Sequence, residues 1–346
     1  MKNLIKPKVL KKGDKVATIS LSWGGAGELP HRYEYGKKQL QKVFGLEVVE
    51  TKNALKSADW IYNNPKARAE DLMQAFLDPS VKAIISNIGG EESVRILPFL
   101  NLEIMAKNPK IFLGFSDATI THFACLKAGL TSFYGTSLLV GFAENCGMHD
   151  YQIQDIKRTL FTTKPVGEIL PNKEGWTSEY LDWFDASLSN TKRKLTASDG
   201  WNFLQGNGKV QGKLIGGCLD VLEFLKGTEF WPSIEEWNDC ILFLETSENM
   251  VEPSTLRYWL RNYAAQGILH RLKGIIFGRP YDSKYIKEYN GEILKIINEE
   301  NLTELAIVTE MDFGHTCPTF TLPFGVLAEI DSENKTFSIL ESGVVE

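Results

Sequence analysis

Over residues 15–116, short apolar runs alternate with stretches of helical spacing, and this pattern restricts the fold more than any other feature. The runs are "KVATISLS" (15–22), "LEVVET" (46–51), "VKAIISNIGG" (81–90) and "KIFLGFS" (110–116). Between them, residues 30–44 and "PKARAEDLMQAFLD" (65–78) carry apolar side chains at helical intervals, and "ESVRILPFL" continues as helix after the third run. Strands that alternate with helices pair in parallel and are covered on both faces. Sheets of this kind open their ligand crevice at the carboxyl ends of the strands. Three of these ends carry chemistry: Ser20 to Gly25, Asn87 to Gly90, and Ser116-Asp117.

The chain has 346 residues, 43% of them hydrophobic, enough for two cores. Residues 1–162 are expected to form an α/β domain. A polar stretch rich in Ser, Thr, Asn and Asp and holding Trp176, Trp183 and Trp201 then reads as a linker and loop over 163–206. Residues 207–346 are expected to form a second domain. It contains the runs "KVQGKLIGG", "CILFLE", "LKGIIFG" and "AIVTEMDFG", with helices over "CLDVLEFLKG" and "PSTLRYWLRNYAAQGIL" and a final hairpin, "VLAEIDSENKTFSIL".

The net charge of −6 argues against a nucleic-acid polymer as partner, because a phosphate backbone would be repelled. The chain has no apolar run of about 18 residues, so no membrane partner is expected. The N-terminus also lacks a signal-peptide core. Five scattered cysteines without a CxxC pair read as thiols of a reducing, cytoplasmic compartment. His315 and Cys317 form an isolated HxC pair, and with no second pair nearby no metal site is expected.

Ser116 stands where a buried strand gives way to a helix. It reads either as a helix cap or as a nucleophile, and a nucleophile requires a base, an acid and an oxyanion site. Among five histidines, His122 lies six residues along the helix, about 9 Å in axial rise and too far for a hydrogen bond. His270 suits a helix carboxyl end, and His31 and His149 have no special context. His315, between Gly314 and a loop rich in Thr and Pro directly after a strand, is either a loop residue or the base. Glu245 ends "CILFLE", with Glu248, Glu252 and Glu329 as rivals for the acid. The Asp117 N–H at the helix start and the Gly89-Gly90 backbone are candidate oxyanion donors. The alternative for the glycines is a plain strand-to-helix turn. "SNIGGEES" lacks the Lys and spacing of a phosphate-binding loop.

Together "GFSDAT", "SNIGGEES", "ILFLETSE" and "FGHTCPTFTLPFG", in this order, resemble the LD-carboxypeptidase family of serine peptidases. The resemblance extends to "KKGDKVATIS" and "LIGGCLDVLEFLKGTEFWP", and it looks closest to the microcin C self-immunity branch. It implies a flavodoxin-like or amidotransferase-like parallel-sheet domain followed by a mixed β/α domain, no cofactor, and a homodimer. It also implies Ser116 as nucleophile, His315 as base, Glu245 as the acid behind it, and the Asp117 and Gly90 amides as oxyanion hole, with Gly89 beside the substrate. The substrate implied is a small peptide or peptidyl-nucleotide, cut at the amide between a C-terminal acidic residue and a nucleotide-like group. An aromatic side chain of the inserted loop is expected to stack on the base, Trp183 ahead of Trp176, the two being seven residues apart and so expected on one face of a short helix. Two other readings are removal of terminal D-alanine from murein tetrapeptides and a non-catalytic binder using the same cleft.

Overall fold

The computed structural model describes residues 3–346. Its first sheet uses β1 (Lys15–Ile19), β2 (Glu47–Glu50), β3 (Val81–Ser86), β4 (Ile111–Gly114) and β5 (Phe133–Tyr134). The five pair in parallel in the order β5-β4-β3-β1-β2. β3 and β4 are buried along nearly their whole length, which explains why they read as continuous apolar runs without alternation. The helices Pro30–Phe44 and Pro65–Leu77 form where their spacing predicts, each with a proline in the first turn, where no backbone donor is lost. The stretch expected to continue as helix after β3 is a 3₁₀ segment, Ser93–Phe99, which contains Pro98.

The second sheet has eight strands: β6 (Gly167–Ile169), β7 (Asn202–Gln205), β8 (Lys209–Cys218), β9 (Cys240–Glu245), β10 (Leu272–Gly278), β11 (Ala306–Met311), β13 (Leu327–Asp331) and β14 (Thr336–Ile339). β8 to β11 are parallel and central, and the β13–β14 hairpin and β7 flank them antiparallel. The stretch 163–206 is more than a linker. Its ends supply β6 and β7, which form the two opposite edges of this sheet.

The two halves also exchange chain. β12 (Leu322–Pro323) leaves the second half and pairs antiparallel with β5, capping the edge of the first sheet. Val345 exchanges backbone hydrogen bonds with Pro7 and Val9, which fastens the C-terminal tail to the N-terminal segment. These crossings bring the carboxyl ends of β4, β9 and β11 to one crevice. Among the described residues no helix is long and apolar enough to cross a membrane.

Candidate active site

Ser116 follows β4 and opens a short 3₁₀ turn that runs into the helix Thr119–Lys127. Its φ is 58°, a left-handed conformation unusual for serine, and it turns the side chain into the crevice. Two bonds hold this turn. The Ser116 N–H donates to Tyr134 Oη (3.0 Å), and the Thr119 hydroxyl donates to the Ser116 carbonyl (2.7 Å). The buried Asp117 carboxylate accepts the Ser93 N–H (2.8 Å), which ties the loop after β3 to the Ser116 turn.

The structure brings Ser116, His315 and Glu245 into one hydrogen-bonded line. His315 Nε2 lies 3.0 Å from Ser116 Oγ, and Nδ1 lies 2.6 Å from Glu245 Oε2. The positions are 70 and 199 residues apart in the chain and meet only because two sheets face each other. Glu245 ends β9 and is 1% exposed, and its other oxygen accepts the Tyr134 hydroxyl at 2.5 Å. Gly314, with φ of 97°, makes room for it: a Cβ there would lie 2.9 Å from Glu245 Oε2. Burial pushes the His315 imidazole down, but the facing Glu245 and Glu248 carboxylates more than reverse this, and the net shift is well upward. Burial, then the Glu245 charge, pushes Tyr134 well above the ordinary tyrosine range, so it remains a donor.

The rival acids separate cleanly. Glu252 accepts from the Tyr285 hydroxyl and Glu329 faces Lys209, both away from the imidazole. Glu248 does reach His315, but at the opposite nitrogen, with Oε2 3.0 Å from Nε2. This bond holds its carboxyl down at about 2. Two acceptors therefore face one ring nitrogen, and a carboxylate at that distance requires a proton on Nε2. The geometry is that of an imidazolium between two carboxylates, with no lone pair free at Nε2. His122 is a core residue: Nε2 donates to the Gly114 carbonyl (3.0 Å), Nδ1 accepts from Ser132 (2.8 Å), and burial pushes it down to about 3.

Gly89 sits against Ser116, whereas Gly90, with φ of 134°, packs against Ser22 and Trp23. A Cβ on Gly89 would lie 2.9 Å from Ser116 Oγ and 3.4 Å from the Asp117 nitrogen, so a side chain there would occupy the space of the reacting groups. Cys218, Glu245 and His315 have ligand atoms within 4.8 Å of one another, because β8 and β9 place Cys218 opposite Glu245. Burial, and then the Glu245 charge, holds the Cys218 thiol well above its ordinary range. The thiol is thus held in its protonated form.

Two cavities meet at Ser116. One, about 390 Å³, is walled by Trp183, Tyr180, Tyr281, Ile88, Val140 and Arg193. Trp183 is half-buried, and the Arg32 guanidinium carbon lies 4.2 Å from its ring centroid. Trp176 is not at this cavity. It is 7% exposed, bridges to Thr196, and has the Arg279 guanidinium carbon 5.2 Å from its ring centroid. The helical face expected to carry both tryptophans does not form, since residues 174–185 are bridges and turns. The second cavity, about 600 Å³, includes Asp220, Glu91 and Glu248 in its wall.

A serine on a left-handed strand-to-helix turn, an imidazole and a buried carboxylate thus meet in a crevice of a two-domain α/β protein. The chain belongs to the LD-carboxypeptidase family: it matches the family's N-terminal domain over residues 16–135 and its C-terminal domain over 211–330. It is 30% identical to the Microcin C7 self-immunity protein MccF of Escherichia coli, over 95% of this chain and 94% of that one. An MccF-like protein from Streptococcus pneumoniae, solved in complex with AMP, superposes with a TM-score of 0.86 at 32% identity, covering 94% and 98% of the two chains. MccF in complex with aspartyl sulfamoyl adenosine superposes at 0.85 with 27% identity, covering 99% and 100%.

Proposed function

We propose that this protein is a serine amidase that cleaves the amide joining an aminoacyl or peptidyl group to a nucleotide-like leaving group. The observation that carries this reading is the unbroken line from Ser116 Oγ through His315 to Glu245 at 3.0 and 2.6 Å, beside a cavity walled by Trp183. The complexes of the MccF relatives with AMP and aspartyl sulfamoyl adenosine support the nucleotide-like part. Once Glu248 has moved aside, neutral His315 keeps its Nδ1 proton on Glu245 and takes the Ser116 proton at Nε2. Ser116 Oγ attacks the carbonyl, and the Asp117 and Gly90 N–H groups receive the oxyanion. His315 then gives its proton to the departing nitrogen. Water, deprotonated by the same imidazole, attacks the ester, and Ser116 Oγ recovers the proton as the acid leaves. Tyr134 positions both ends of the line through its bonds to the Ser116 amide and Glu245.

A hydrolysis screen tests this. It offers aspartyl-, glutamyl-, leucyl- and lysyl-sulfamoyl adenosines beside an L,D-tetrapeptide of murein. The acidic acyl residue that the resemblance implies is thereby one arm. The expected result is cleavage of sulfamoyl adenosines by the native enzyme and none by Ser116→Ala. Cleavage of the tetrapeptide alone would replace this reading with the murein one.

A further inference from the structure

A substrate whose carbonyl sits at Ser116 has two arms, and on the proposed reading, on which this inference rests, the planar base takes the Trp183 side. The acyl group then enters the larger cavity. Five carboxylates line it (Asp59, Glu91, Glu92, Asp220 and Glu248), with no Lys, Arg or His among the lining residues. Glu92 is neutralised by Arg95 at 2.7 Å. Asp220 is held by neutral donors, the Ser247 N–H (3.1 Å) and hydroxyl (2.9 Å), rather than by a cationic side chain. An acidic acyl side chain would enter a field of its own sign, whereas an ammonium group would be attracted.

The second and independent observation is the position of Glu248. Its carboxylate borders both cavities and is bonded to His315 Nε2, the atom that must be free to accept the Ser116 proton. Its side chain is 61% exposed whereas that of His315 is only 8% exposed, so Glu248 is the member of the pair that can swing out to another partner. A cation arriving with the acyl group offers Glu248 a replacement for the imidazolium. We propose that Glu248 is a specificity-determining residue that pairs with an ammonium group on the acyl side of the substrate, and that this pairing releases His315 to act as base. Recognition and activation are then one event. The step is a change of ion partners only: Glu248 keeps its charge, the imidazolium loses its second carboxylate, and its Nε2 proton passes to solvent before Ser116 is deprotonated.

The ammonium can be the α-amino group or a side chain, and matched substrates separate the two. Lysyl-, leucyl-, Nα-acetyl-leucyl- and aspartyl-sulfamoyl adenosine share one leaving group and one scissile bond. The expected order of kcat/KM is lysyl or leucyl first, with Nα-acetyl-leucyl and aspartyl at least tenfold lower. A lysyl-over-leucyl preference assigns the side chain, and equality of those two assigns the α-amino group. Glu248→Gln is expected to narrow the spread between charged and uncharged acyl groups by about tenfold or more, chiefly through loss on the cationic members. A preference for aspartyl over leucyl and lysyl, or a spread unchanged in Glu248→Gln, overturns the inference while leaving the amidase reading intact. If no member is cleaved, the amidase reading fails and this inference falls with it.

Discussion

Replacing Glu245 by Gln removes one charge and almost no volume, and the structure lets the consequence be worked through. Glu245 accepts two donors, the Tyr134 hydroxyl at 2.5 Å and the His315 Nδ1 proton at 2.6 Å. An amide has one oxygen to offer. If its nitrogen faces Nδ1, the imidazole must carry its proton on Nε2 and cannot receive one from Ser116. If its oxygen faces Nδ1, the tautomer survives, but the imidazolium formed during attack has lost its buried counter-charge. Either arrangement should lower kcat by about ten-thousand-fold, or roughly 5 kcal/mol, the loss known for the same change behind other catalytic histidines. Stability should fall much less, by about 1–3 kcal/mol, since the site keeps its shape and at least one hydrogen bond. Steady-state rates with an aminoacyl-sulfamoyl adenosine, with urea unfolding of the same preparation, separate the two effects. Because Glu245 acts through His315, adding it to His315→Ala should cost almost nothing further. A Glu245→Gln enzyme within tenfold of native, or a double variant whose loss is the product of the single losses, would refute the positioning argument.

Other outcomes follow from particular contacts. Gly89→Ala places a Cβ 2.9 Å from Ser116 Oγ at a position without a positive φ, so it should cost on the order of a hundredfold in kcat with little change in thermal unfolding. Trp183→Ala should narrow the preference for adenylated over base-free substrates by roughly 5- to 150-fold, the worth of one stacked base, while Trp176→Ala should act on stability instead. The pH dependence has a definite sign. His315 is faced by Glu245 from β9, by Glu248 from the loop beyond it, by the Ser116 hydroxyl and by the edge of the Phe115 ring. Its pKa is raised, so kcat/KM should climb with pH through that raised value as the free enzyme loses the imidazolium proton. Glu248→Gln removes one of the two carboxylates and should move the acid limb of the profile to lower pH; a shift to higher pH would contradict the pairing.

Residues at strand ends were legible from the sequence, and the reason is physical. A buried strand reads as an apolar run, and a parallel sheet opens its crevice where such runs stop. Ser116, Gly89-Gly90 and Glu245 all announce themselves there, and His315 does so four residues past β11. What stayed hidden depends on contacts between distant segments. Tyr134 belongs to a two-residue strand inside "TSFYGTS", too short to show a period, and nothing local tells that its hydroxyl joins the Ser116 amide to Glu245. β12 is a Leu-Pro pair that reads as loop, yet it closes the first sheet from the second half of the chain. Glu248 was visible as a rival acid, but its choice of the opposite imidazole nitrogen is a matter of approach direction. The seven-residue spacing of Trp176 and Trp183 is misleading because the backbone between them is extended and turning. Its first end is pinned by the Thr196 bridge and its last turn by the Asp185 N–H donating to the Asp182 carbonyl.

The central claim is that Ser116 becomes acylated, and intact-mass spectrometry of enzyme quenched during turnover tests it most directly. With a leucyl-sulfamoyl adenosine substrate, the protein should gain the mass of one leucyl group, mapped by peptide fragmentation to Ser116. The adduct should be absent from Ser116→Ala, whose turnover should fall by about a million-fold. An adduct on another residue, or a Ser116→Ala enzyme that keeps more than about a tenth of the native rate, would contradict the account.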